Sequence, residues 1–130
     1  MTVENDEILD PVERIVSEDA TYACGAYYFV LAVVETTISA LPARRHITGR
    51  ELLEAMRELG LARYGLMTKV VFEHWGVRST EDFGRIVFRL VDAGLLSKTP
   101  EDSMEDFTGV YDFEEAFVVG VPWNRSDWDV

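Results

Sequence analysis

The sequence predicts a mainly α-helical single domain that carries a small β hairpin. Three observations predict it: apolar residues recur at one-turn helical spacing in several stretches, capping residues precede those stretches, and proline or glycine follows them. At 130 residues, with 48% hydrophobic and 12% aromatic side chains, the chain holds enough apolar material for one core. No repeat, low-complexity block or Gly/Ser linker divides it, so residues 10–118 are expected to form one domain between an acidic tail at 1–9 and a C-terminal tail at 119–130.

The first helix is signalled by Asp10 as N-cap and Pro11 at the first helical position, with Val12, Ile15 and Val16 one turn apart and an end near residue 20. The second follows from Tyr27, Val30, Leu31, Val34, Ile38 and Leu41, and Pro42 stops it. Tyr28, Phe29, Ala32 and Val33 make its other side apolar too, which predicts a central helix covered on more than one face. Thr48 and Glu51 match a capping box, in which the hydroxyl accepts the third helical N–H and the carboxylate returns to the cap N–H. Leu52, Leu53, Met56 and Leu59 form the buried face of the helix it opens, and Gly60 and Gly65 are expected to loosen the chain.

Met67, Val70, Val71 and His74 or Trp75 continue helically to Gly76, a C′ candidate. Ser79 or Thr80 caps the next helix, Glu81 and Asp82 suit its positive end, and Phe83, Ile86, Val87, Leu90 and Val91 supply its stripe before Gly94. Residues 95–98 read as a strand, 99–106 as an acidic loop, 108–113 as the returning strand and 112–117 as a helical turn. The predicted core is Tyr27, Leu31, Val34, Leu52, Met56, Val70, Phe83, Val87 and Leu90.

Charge narrows the function classes. Lys plus Arg number 12 against 24 Asp plus Glu, a net charge of −12, which argues against nucleic acid and an anionic membrane as partners. Residues 1–43 hold 8 acids and 1 base, residues 44–98 hold 7 acids and 10 bases, and residues 99–130 hold 9 acids and 1 base, so a mildly basic middle lies between acidic flanks. The N-terminus is acidic where a secretory signal is basic, and the longest apolar run, residues 26–34, is short of the roughly 20 residues that a membrane span needs. With a single cysteine, Cys24, this predicts a reducing cytoplasmic setting without a disulfide.

No catalytic, cofactor-binding or metal site is expected. Cys24 has neither a cationic nor an imidazole neighbour in sequence, so only a helix N-terminus could activate it and a small buried hydrophobe is its expected role; Glu73 and His74 point about 100° apart on a helix, and the acids at 101, 102, 105 and 106 lack the glycine and terminal glutamate of a calcium loop. Arg44, Arg45, His46 and Arg50 form the densest basic cluster, a candidate anion patch that the acidic flanks are expected to neutralise. Phe88 lies off its helix's stripe, and Trp123 and Trp128 are large aromatics without an apolar period, which makes the three candidate interaction residues.

The stretch VVFEHWGVRSTEDFGRIVFRLVDAGLLSK resembles the helix-turn-helix and strand of a winged-helix domain. The resemblance implies a recognition helix over residues 79–93 exposing Glu81, Asp82, Arg85, Arg89 and Asp92, of which three are acidic and oppose phosphate. RHITGRELLEAMRELGLARYGLM, EHWGVRSTEDFGRIVFRLVDAGLLSKTPEDSMEDF and VYDFEEAF together resemble a family of small bacterial proteins with no assigned activity, over residues 10–117. That resemblance implies a bacterial cytoplasmic origin and carries over no site residues. The expected function is a non-catalytic cytoplasmic interaction domain for an unidentified protein partner, a homo-oligomer included. The alternative is a winged-helix nucleic-acid-binding regulator shielded by acidic tails.

Overall fold

The computed structural model describes residues 1–3 and 9–119, and the fold over them is mainly helical with one small antiparallel sheet. Strand β1 is Thr2–Val3 and helix α1 is Leu9–Glu18. Asp10 is already helical rather than a cap, and Pro11 falls in the first turn, where a missing N–H removes no intrahelical bond. Helix α2 is Cys24–Ser39, and it buries Ala26, Tyr27, Phe29, Val30, Leu31, Val33, Val34 and Ile38, residues drawn from both of its sides. It is the central helix that its two-sided apolar content predicts, packed against β1, α1, the third helix α3 (Gly49–Tyr64) and the fifth, α5 (Thr80–Asp92). Leu41 lies beyond its end, half-buried in the turn before Pro42.

The capping box of α3 forms as the sequence predicts, with the Glu51 N–H donating to Thr48 Oγ1 at 3.1 Å and the Thr48 N–H to Glu51 Oε1 at 2.9 Å. Gly60, by contrast, does not loosen the helix. It sits buried within α3, where an added Cβ would lie 2.9 Å from Phe72 Cζ and 3.1 Å from Thr68 Cγ2, so its missing side chain lets the next helix approach. A 3₁₀ turn, Gly65–Met67, leads into α4, Thr68–His74.

In α4 the buried residues are Thr68 and Phe72, one turn apart, whereas Val70 is 53% exposed and is not part of the core. Val70 lies about 200° around the helix from Phe72, so once Phe72 enters the core Val70 faces away. The other eight residues predicted for the core are buried. Gly76 ends α4 at φ +91, with its N–H donating to the Glu73 carbonyl and that of Val77 to the Phe72 carbonyl, both at 2.9 Å. This is the Schellman pattern, which requires the left-handed conformation that glycine adopts without strain. Gly94 at φ +79 ends α5 in the same way, through bonds to the Val91 and Leu90 carbonyls.

At the start of α5, Ser79 occupies the cap position without a side-chain cap bond, and Asp82 instead accepts from the Arg78 N–H at 2.9 Å. Thr80, fully buried, donates to the Phe107 carbonyl at 2.7 Å and accepts from the Val110 N–H at 3.3 Å, tying α5 to the C-terminal segment. Strand β2, Leu96–Ser97, pairs antiparallel with β1 in the register Thr2↔Ser97 and Val3↔Leu96. The two-stranded element is therefore present, but its second strand comes from the N-terminal residues and not from 108–113, which hold no strand. Residues 1–3, expected in a tail, belong to the fold: Met1 is buried, and its ammonium donates to the Ile47 carbonyl at 2.9 Å.

The acidic loop contains a 3₁₀ helix, Met104–Phe107, capped by Ser103 and Asp106, and the predicted helical turn near 112–117 is a π-helix over Glu115–Val119. From this segment Phe113 and Phe117 enter a ring cluster about Phe72, whose centroid lies 5.3 Å from Phe29, 5.2 Å from Phe83, 5.3 Å from Phe117, 5.8 Å from Trp75 and 5.9 Å from Phe113. Phe72→Ala will lower stability by about 3–5 kcal/mol, measured by chemical denaturation. Gly60→Ala will also destabilise, although alanine is the better helix former by about 1 kcal/mol, because its Cβ meets the Phe72 ring.

Candidate interaction surface

The basic cluster of residues 44–50 lies on the loop before α3 and its first turn, with Arg44, Arg45, His46 and Arg50 all exposed. Two of its guanidiniums are already engaged. Arg44 reaches Glu35 of α2 at 3.4 Å, and Arg45 pairs with Glu51 at 2.8 Å while donating to the His46 carbonyl at 2.9 Å. One neutralising partner thus comes from the acidic N-terminal flank, and the other is the middle segment's own capping-box glutamate. The Arg45 guanidinium and the Thr48 N–H hold the Glu51 carboxyl down at about 2.

A charged cleft of about 520 Å³ opens between α1 and α5, lined by Pro11, Arg14, Ile15, Glu18, Asp19, Arg89, Asp92 and Ala93. Arg89 crosses it to Asp19 at 2.8 Å, donates to the Tyr27 hydroxyl at 3.2 Å, and lies 5.2 Å from the Tyr22 ring centre. The Tyr22 hydroxyl donates to Asp82, which also pairs with Arg85 at 2.7 Å. Burial, reinforced by that carboxylate, pushes the Tyr22 phenol up to about 12. Burial alone would push Asp82 up as well, but the Tyr22 hydroxyl, the Arg78 N–H and Arg85 together hold it below the usual carboxylate range. The two arginines of the proposed recognition helix are therefore each paired with a carboxylate, Arg85 with Asp82 of its own helix and Arg89 with Asp19 just beyond α1.

A more apolar surface lies elsewhere. A groove of about 290 Å³ runs between α2 and α3, lined by Phe29, Ala32, Val33, Thr36, Leu59, Ala62 and Arg63. One turn beyond Arg63, Leu66, Met67 and Val70 stand 70%, 54% and 53% exposed. Val70 lies three and four residues from Met67 and Leu66, which puts them on one side of the chain as an apolar corner beyond the Arg63 end of α3. Helical spacing alone puts Met67 and Val70 on a buried stripe and does not single out Leu66. Counting the phase of α4 from Phe72, after the break at Gly65, is the signal that separates them.

Phe88 is half-buried, its ring edge-on to Phe107 at 6.3 Å, so part of its surface is taken by the domain's own core. Trp123 and Trp128 lie outside the described residues. Cys24 is the first residue of α2 and half-buried, Glu73 pairs with Lys69 at 3.4 Å, and His46 and His74 are exposed in separate elements. Among the described residues no three His, Cys, Asp or Glu side chains gather as a metal-binding group would, and no helix is long and apolar enough to cross a membrane.

Two pH limits follow from the paired groups. Glu51 ionises in the folded state below its ordinary value of 4.5, so its contribution is complete above that pH and is lost as pH falls toward about 2. A stability difference between the wild type and Arg45→Ala, read from urea midpoints, will be present at neutral pH and vanish at the acid end of that window. Tyr22 is shifted the other way, so the native state holds its proton between pH 10 and about 12, and stability falls as pH rises through that range. Tyr22→Phe will make the alkaline decline shallower without abolishing it, because burial also raises Tyr111, whose hydroxyl donates to the Leu53 carbonyl at 2.8 Å.

No protein-family model, no curated protein and no solved structure matches the chain.

Proposed function

We propose that this chain is a non-catalytic protein-interaction domain of the bacterial cytoplasm, and that its partner seats apolar side chains in the groove between α2 and α3. The observation that carries the reading is that groove, with Phe29, Val33 and Leu59 along it and the small residues Ala32, Thr36 and Ala62 leaving room for an incoming side chain. The charged cleft supports a structural role instead, since Asp19 and Arg89 neutralise one another across it. Arg44, Arg45, Arg85 and Arg89 are each bound to a carboxylate, which ties up four of the cations that a nucleic-acid reading needs.

Ala32 and Ala62 are exposed, so Ala32→Arg and Ala62→Arg fill the groove without entering the core. Proteins that co-purify with the wild-type chain from its native host will be lost from both variants, while the melting temperatures stay unchanged. An identical set of bound proteins would sink the reading. Duplex DNA will show no measurable binding at physiological salt; nanomolar affinity for any site would favour the nucleic-acid regulator instead.

A further inference from the structure

We infer that the C-terminal segment, residues 120–130, which lies outside the described residues, docks on the apolar corner formed by Leu66, Met67 and Val70. The inference does not depend on an outside partner, since the corner contributes none of the groove's lining. Three large apolar side chains more than half exposed on one side of a short stretch are an unpartnered surface that favours burial. The segment that continues from the fold carries the matching material: Val121, Pro122, Trp123, Trp128 and Val130 are its apolar residues, and tryptophan gains more from burial than any other side chain of this tail.

Position favours the same pairing. The described chain ends in the π-helix Glu115–Val119, which packs against α3 and α4, and Glu114 just before it reaches Lys69 at 3.4 Å. Lys69 is the neighbour of Val70 in sequence, so the segment continues from an element packed on the same short helix that carries Val70, at a Val119 that is itself 59% exposed. Eleven residues extend to at most about 36 Å, far more than the pairing requires. Tethering at that distance gives an effective concentration on the order of millimolar, which a second copy of the chain does not reach at ordinary protein concentrations. Charge agrees as well: Asp127 and Asp129 outnumber Arg125 in the segment, and Arg63 beside the corner is exposed and has no carboxylate partner among the described residues.

A thermodynamic cycle in the full chain tests this. One variant carries Trp123→Ser and Trp128→Ser, a second carries Leu66→Ser and Val70→Ser, and a third carries all four, every position of the corner pair being exposed enough that folding is not at stake. Docking predicts that each pair lowers the melting temperature by about 3–6 °C, independently of protein concentration, and that the four together lower it no further than either pair alone. Additive losses would overturn the pairing by placing the tryptophans elsewhere. Unchanged melting in the tryptophan variant would overturn docking altogether, and a loss that grows on dilution would assign the corner to a second copy.

Discussion

The Phe72 ring is the constraint on which the rest of this fold depends. It meets α2 through Phe29, α5 through Phe83 and the C-terminal segment through Phe113 and Phe117, while Trp75 of its own neighbourhood stacks on it. Aromatic pairs of this kind contribute about 0.5–1.5 kcal/mol each beyond the area they bury, but their geometric demand matters more. Five rings around one centre fix the relative positions of three elements that no hydrogen-bonded sheet connects. Gly60 follows from the same demand, because α3 must lie against the ring with no Cβ between. So does the Schellman turn at Gly76, whose bond from the Val77 N–H ends on the Phe72 carbonyl and turns the chain directly into α5.

A second layer of organisation is electrostatic and sits outside this cluster. The chain carries a net charge of −12, and several of its cations are paired with particular carboxylates: Arg89 with Asp19, Arg85 with Asp82, Arg45 with Glu51 and Arg44 with Glu35. Exposed pairs like these add little to stability. Their consequence is for function, since each places a carboxylate beside a guanidinium that would otherwise be free to meet an anion. Asp82 concentrates this role by accepting from the Tyr22 hydroxyl, the Arg78 N–H and Arg85 at once, where a serine or threonine cap would have served α5 alone.

Helices were legible in the sequence because their signals are local. Thr48 and Glu51 announce a capping box from their spacing, Gly76 and Gly94 mark ends that need a left-handed residue, and the two-sided apolar content of α2 states that it is central, since each depends only on chain neighbours within about four residues. Tertiary structure decided what such neighbours cannot. The strand at 96–97 could have paired with any extended segment, and it found residues 2–3, some 94 positions away, because pairing at that range depends on where α2 carries the N-terminus. Val70 satisfies a helical period as well as Phe72 does, and only the ring cluster selects which of the two turns inward. Gly60 has the composition of a break and the position of a contact, a distinction made by the helix that packs on it. The groove between α2 and α3 was equally illegible, because a surface shared by two helices exists only once their packing is set.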